Sequence, residues 1–266
     1  MKKRVISAIL IVAIFIPFLI IGELPFAIFM SVLAALGMYE LIKVRETKKK
    51  FPIPMKIISF LAVLFFTMLN YESIDFTLNI NYQIMSVMIF LFLMPIVFIN
   101  NNEKYNFDDS LFLMGAVLFI GLSFNLIIIT RNYDISHIIY LLLITTITDT
   151  FALFTGRLIG KHKVSPKISP NKTIEGCVGG LLMGTFVASA FYITVINPSF
   201  SLVFIILITA LLSVIAQLGD LVFSAIKRYY DKKDFSDIIP GHGGILDRFD
   251  SLIFVTLAFI VIMAII

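Results

Sequence analysis

Charge is scarce in this chain and cysteine nearly absent. Only 14% of its 266 residues are Asp, Glu, Lys or Arg, against a hydrophobic share of 59% and a mean hydropathy of +1.02. Soluble domains carry roughly 45–50% apolar residues, so a soluble fold is excluded. The single cysteine, Cys177, lies in an apolar, Gly-rich run and excludes both disulfides and a cysteine-built metal site. No repeat, low-complexity linker or polar stretch long enough for a soluble domain interrupts the chain. The basic residues after Met1 precede an apolar run, as in a signal peptide. However, no small-residue cleavage site follows, and Gly22-Glu23-Leu24-Pro25 leads straight into another apolar run, so the segment is read as a span.

What the chain does have is a series of apolar runs near the roughly 20 residues that a bilayer core requires. Nine spans are expected, near 5–21, 26–43, 55–70, 84–99, 110–130, 138–160, 175–196, 201–226 and 249–266. The first four could condense into three, since their connections are short and the third begins with Pro52 and Pro54. The fold class is all-α: a polytopic integral membrane protein. If the N-terminus is cytoplasmic, every Lys and Arg falls on an inside segment except Arg131. So one-sided a distribution satisfies the positive-inside rule, and a wrong span count would scramble it. The pI of about 9.1 therefore reports orientation and a face suited to anionic headgroups. It implies no nucleic-acid partner.

Four acids fall within or at the inner ends of spans: Glu40, Asp149, Glu175 and Asp220. Ionisable groups at that depth usually face a polar cavity or a partner. The plain reading is a carboxylate locked onto a nearby cation, and for Glu40 the expected cations are Lys43 and Arg45. Asp220 differs. With Ser224 and Lys227 it stands at i, i+4 and i+7, so a helix aligns carboxylate, hydroxyl and ammonium on one face, with Arg228 at its edge. That strip could hold a metal-bound phosphate. The helix from Ser201 to Tyr230 would run about 45 Å at 1.5 Å per residue, long enough to carry Lys227 and Arg228 into the interface.

Beyond it the charge thickens, from Lys227 to Asp250, around Pro240-Gly241-His242-Gly243-Gly244. The proline stops a helix, and the glycines permit backbone that can bring N–H groups against a phosphate. Asp247 and Asp250 follow at i and i+3 where the last span begins; acids at a helix start are also ordinary dipole partners. A second loop, Gly156 to Gly176, carries five cations, two Ser-Pro pairs and no acid until Glu175. It satisfies the positive-inside rule, and a short, stiffened, basic loop could also clamp a polyphosphate, with Lys167 and Lys172 flanking Ile168-Ser169-Pro170-Asn171.

The stretch Ser224–Asp250, SAIKRYYDKKDFSDIIPGHGGILDRFD, resembles the signature of phosphatidate cytidylyltransferases. Ser224, Lys227, Arg228, Lys233, Asp234, Ser236, His242, Gly243, Gly244, Asp247, Arg248 and Asp250 all fit it. Asp149–Gly176 resembles the family's second block, whereas the first four spans carry no motif. The resemblance implies synthesis of CDP-diacylglycerol and pyrophosphate from CTP and phosphatidate with Mg²⁺. Asp220 and Asp247 are then the expected metal ligands, and a second cation would suit in-line transfer. Lys227, Arg228, Lys233 and Arg248 would meet phosphates, His242 would orient or stabilise charge, and Ser224 would help hold metal or phosphate. The implied partners are CTP, phosphatidate and membrane lipids, with a homodimer compatible. The implied setting is the plasma membrane, with the site at its cytoplasmic face. Residues 110–266 would form the catalytic region and 1–109 a set of transmembrane helices of unassigned role. A transporter is the rival from another class, yet its site would lie near midplane with repeat symmetry. A lipid kinase or another nucleotidyltransferase is nearer, but no GxxxxGK[ST] loop occurs.

Overall fold

The computed structural model describes residues 2–72, 82–99, 103–196, 200–241 and 243–265. Seven helices in it are long and apolar enough to cross a membrane, and two shorter apolar helices, Ile9–Ile21 and Ile53–Met68, accompany them. The protein is an all-α, multi-pass membrane protein. The chain divides into two compact units, residues 1–132 with 234–246 and residues 133–233 with 247–266.

The first unit contains α1 (Lys2–Ile21), α2 (Glu23–Arg45), α3 (Ile53–Met68), α4 (Tyr82–Leu93), α5 (Pro95–Ile99) and most of α6 (Phe107–Tyr133). The first four apolar runs form separate helices, of which Glu23–Arg45 and Tyr82–Ile99 are long and apolar enough to cross a membrane. Pro52 caps α3 from outside and Pro54 lies in its first turn, where a missing N–H costs nothing. Pro95 divides the fourth span into α4 and α5. Gly22, at φ 71, turns α1 into α2, and Arg131 donates to the last carbonyls of α1, Nε to Leu19 at 2.9 Å and Nη2 to Ile20 at 2.7 Å. Phe26, Met30, Ala34, Met38, Val63, Ile120 and Phe124 are fully buried between these helices. Asp109, also buried, pairs with Arg45 at 3.0 Å and with Lys49.

The second unit begins with α7 (Ile135–Ile159), whose N-cap Asp134 accepts from the Ser136 N–H. A two-stranded antiparallel hairpin follows, β1 (Lys163–Ser165) with β2 (Ser169–Thr173). Sequence periodicity gave no sign of it. Its turn has Pro166 at the second position and closes with the Ile168 N–H on the Ser165 carbonyl. Next come α8 (Ile174–Phe191) with a π-helical turn at Tyr192–Ile196, α9 (Leu202–Tyr229) and α10 (Leu246–Ile265).

Glycine sets the α7–α8 seam. A Cβ on Gly176 would stand 2.6 Å from the Ala152 carbonyl oxygen, and one on Gly180 2.5 Å from that of Thr148. Small residues let helix backbones approach where no hydrophobic effect operates between them. Along α9 the polar stripe Thr209, Ser213, Gln217 and Asp220 faces protein, while Leu207, Leu211, Val214, Leu218 and Val222 are exposed. Tyr140 and Thr148 of α7 meet the hydroxyls of Thr209 and Ser213, each at 2.8 Å.

Candidate active site

The N-cap Ser201 and C-cap Tyr230 bound α9 where the sequence places its ends. Its last turn closes in a Schellman arrangement: the Lys232 N–H bonds the Lys227 carbonyl at 2.9 Å and the Asp231 N–H that of Arg228 at 3.0 Å. Asp231 takes φ 53 to allow it. The helix thus presents Asp220, Ser224 and Lys227 in order, as their spacing requires. Ser224 Oγ lies 3.5 Å from Asp220 Oδ1, and Lys172 Nζ lies 2.7 Å from Asp220 Oδ2. The same lysine donates to the Gln217 carbonyl at 3.1 Å.

Asp149, Lys172 and Asp220 open onto one cavity of about 620 Å³. Arg157, Lys163, Ser169, Asn171 and Cys177 complete much of its polar wall. Asp149 and Asp250 both lie within electrostatic range of Asp220, and Lys172 and Arg248 within that of Asp149. Three carboxylates and several cations are therefore collected in a unit otherwise made of apolar helices. Such a set is unfavourable unless each charge is matched by a partner or a ligand.

Lys227 and Asp247 pair at 2.6 Å and are both nearly closed off. Asp250 Oδ1 accepts from the Ser251 N–H at 2.7 Å. Arg228 ties the hairpin to the end of α9, Nε reaching the Ile168 carbonyl at 3.3 Å and Nη1 that of Lys232 at 2.8 Å. Glu175, in the first turn of α8, accepts from the main-chain N–H groups of Lys161 and His162 and pairs with His162 Nδ1 at 2.6 Å. Glu175 thus anchors the hairpin's start rather than lining the cavity. Lys167, Lys233, Asp234 and Arg248 are exposed. His242 lies outside the described residues.

In the first unit, the turn before α10 is built on Glu40. Among the described residues no ion pair joins this carboxylate to Lys43 or Arg45, the expected cations. Lys43 stands over the Tyr39 ring, and Arg45 reaches Asp109. Instead Glu40 Oε1 accepts from Ser236 Oγ at 2.6 Å and from the Ile245 N–H at 2.8 Å, and Oε2 accepts from the Leu246 N–H at 2.9 Å. The partners lie about two hundred residues further along the chain, where no local pattern could show them. Gly243 takes φ 82, and its carbonyl accepts from the Ile239 N–H at 3.0 Å.

A carboxylate set of this kind suits a hard divalent ion. Among the described residues no three His, Cys, Asp or Glu side chains form a protein-only metal cage. A Mg²⁺ ion is commonly held by one or two carboxylates and takes its other ligands from water and substrate phosphates. The oxygens of Asp220 and Asp149, facing a roomy polar cavity, fit that habit.

The geometry gathers acids and cations around one cavity of a membrane protein. The chain matches the model of the cytidylyltransferase family over residues 2–266. It is 36% identical over 258 residues to the phosphatidate cytidylyltransferase of Bacillus subtilis (strain 168), covering 96% of this chain and 94% of that protein. It is 38% identical over 255 residues to the enzyme of the same name from Staphylococcus haemolyticus (strain JCSC1435), covering 96% of each. The phosphatidate cytidylyltransferase of Staphylococcus aureus (strain COL) is likewise 38% identical over 257 residues. The chain belongs to the cytidylyltransferase family and is a membrane nucleotidyltransferase.

Proposed function

We propose that this chain transfers the cytidylyl group of CTP to phosphatidate, releasing pyrophosphate and forming CDP-diacylglycerol. The observation that carries the reading is the cavity in which Lys172 and Asp220 meet beside Asp149, on a chain similar from end to end to enzymes of that name. An oxygen of the phosphatidate phosphate attacks the α-phosphorus of CTP. The bond from that phosphorus to the bridging oxygen breaks, and its electron pair leaves with pyrophosphate. A phosphomonoester has a second pKa of about 6, so the nucleophile is largely ionised at neutral pH and needs no strong base. The protein's contribution is to hold two polyanions in line.

Lys172 and Lys167 bring positive charge from the hairpin, and Lys227, Arg228, Lys233 and Arg248 bring it from the ends of α9 and α10. Asp220, with Asp247 as its expected partner and Asp149 beside it, would hold Mg²⁺. Bound there, the ion would neutralise charge on the attacked phosphate and the departing pyrophosphate; a second cation would extend this. Ser224 supports Asp220. His242 is assigned to orienting the substrate or balancing its charge. The basic tally supports a cytoplasmic-side site, and the plasma membrane is the proposed setting, where a lipid headgroup meets a soluble nucleotide.

The deciding experiment supplies purified protein in lipid with labelled CTP and phosphatidate. Mg²⁺-dependent CDP-diacylglycerol is the expected product, abolished by EDTA and restored by Mg²⁺. Undiminished synthesis in EDTA would remove the metal, and flux of substrate without product would favour transport. For orientation, cysteines placed in 160–174 and 231–241 should react with an impermeant reagent only after cells are permeabilised.

A further inference from the structure

We infer that Glu40 is a positioning residue: its carboxylate fixes the backbone of the Gly243-Gly244 turn from which the last helix starts. The inference rests on the cytidylyltransferase reading for its kinetic consequence and on geometry alone for the rest.

Glu40 belongs to α2, in the half of the sequence that carries no motif, and is fully buried. A buried carboxylate is costly unless its oxygens are filled with donors. Here three donors come from one short segment: the Ser236 hydroxyl and the N–H groups of Ile245 and Leu246. Two adjacent main-chain amides on one carboxylate leave the peptide planes between them little freedom. Ser236 extends the grip, because its Oγ also accepts the Ile238 N–H at 3.2 Å. Ser7 Oγ holds the far side of the turn through the Pro240 carbonyl at 3.0 Å.

Gly244 supplies the independent observation. A Cβ there would fall 2.5 Å from Glu40 Oε1, and all three carboxyl atoms would crowd it. The carboxylate therefore lies directly against the backbone, and only glycine admits it. Leu246 is the first residue of α10, so a negative group at these amides also suits the positive end of the helix. The next residues in the chain are Asp247 and Arg248. A carboxylate that served only to join helices would meet side chains, whereas this one, besides the Ser236 hydroxyl, takes two adjacent main-chain amides of the segment that opens α10.

The test uses Glu40→Gln, Gly244→Ala and the double variant in the full-length protein. Glu40→Gln keeps the volume but sets an amide NH₂ against N–H donors. It should lower kcat by about 10- to 100-fold, the loss expected of a hydrogen bond to a charged group. KM for CTP should stay within about twofold, since the hairpin and its cavity are untouched. Gly244→Ala should reproduce the effect by displacing the carboxylate, and the double variant should be little worse than either single one. Amide hydrogen exchange at Ile245 and Leu246 should quicken in all three variants. Kinetics within about threefold of wild type for Glu40→Gln, or additive losses in the double variant, would overturn the inference. So would unchanged exchange at those two amides. Wild-type protein that makes no CDP-diacylglycerol would instead refute the functional reading, while the exchange measurement would still judge the grip.

Discussion

Two lysine–aspartate pairs serve the same helix, and their surroundings differ. Lys172–Asp220 and Lys227–Asp247 are nearly equal in length, 2.7 and 2.6 Å. The first leaves its side chains 17% and 29% exposed and faces the cavity, whereas the second leaves 10% and 4%. A pair in contact with water can exchange partners at small cost, because solvent covers the charge while it is alone. A closed pair cannot, since removing one member strands the other in a medium that does not solvate it. In the proposed reaction, Lys172 and Asp220 would separate around an incoming phosphate and its metal. Lys227 and Asp247 would meet theirs as a fixed pair, without parting.

The sharpest way to break that contrast is to neutralise each acid. Asp220→Asn and Asp247→Asn should each reduce CDP-diacylglycerol synthesis by about a hundredfold or more, as loss of a metal ligand implies. Their stabilities should diverge: Asp247→Asn should cost about 3–5 kcal/mol, and Asp220→Asn only a small fraction of that. Melting temperature in detergent beside turnover decides it, and equal melting temperatures would dissolve the distinction. Next in size, Lys227→Met combined with Asp247→Leu should recover most of the lost stability, because an apolar pair of similar volume often replaces a buried ion pair. Activity should stay absent, and any return of turnover would make the pair structural only.

On the open side, Lys172→Gln should raise KM for CTP about tenfold, equivalent to about 1.4 kcal/mol, with topology intact. The smallest effect is expected at Lys167, exposed on the turn of the hairpin. Lys167→Gln should shift KM by about twofold, in keeping with a solvated charge. A larger effect at Lys167 than at Lys172 would mean that phosphate is met at the rim instead of inside the cavity.

Much of this was legible in the sequence wherever a local period carried it. The nine apolar segments and the bounds of α9 emerge from run length and from Ser201. The alignment of Asp220 with Ser224 follows from helical spacing alone. What remained hidden depends on residues far apart in the chain. Nothing local to Lys172 pointed to Asp220, 48 positions on, and Glu40 sat beside two cations that proved to be engaged elsewhere. The hairpin was concealed for another reason: Ser169-Pro170-Asn171-Lys172-Thr173 has poor strand propensity, and its pairing is local enough to be closed by a Pro turn. The glycines of α8 looked like an ordinary apolar span, because sequence shows where side chains are missing but not what comes close in their place.

That last feature bears on how the protein responds to its surroundings. The seam between α7 and α8 is made of backbone against backbone, at Gly176 and Gly180. Asp149 and Cys177, on the walls of the cavity, sit on those two helices. A joint packed with leucines loosens on warming as its rotamers multiply. A joint whose closest approaches are backbone, with only the small Thr148, Ala152 and Thr155 side chains beside them, has few such states to populate. The spacing of the cavity wall should therefore stay nearly constant as the bilayer changes thickness or fluidity, insulating the cavity mechanically from the lipid around it.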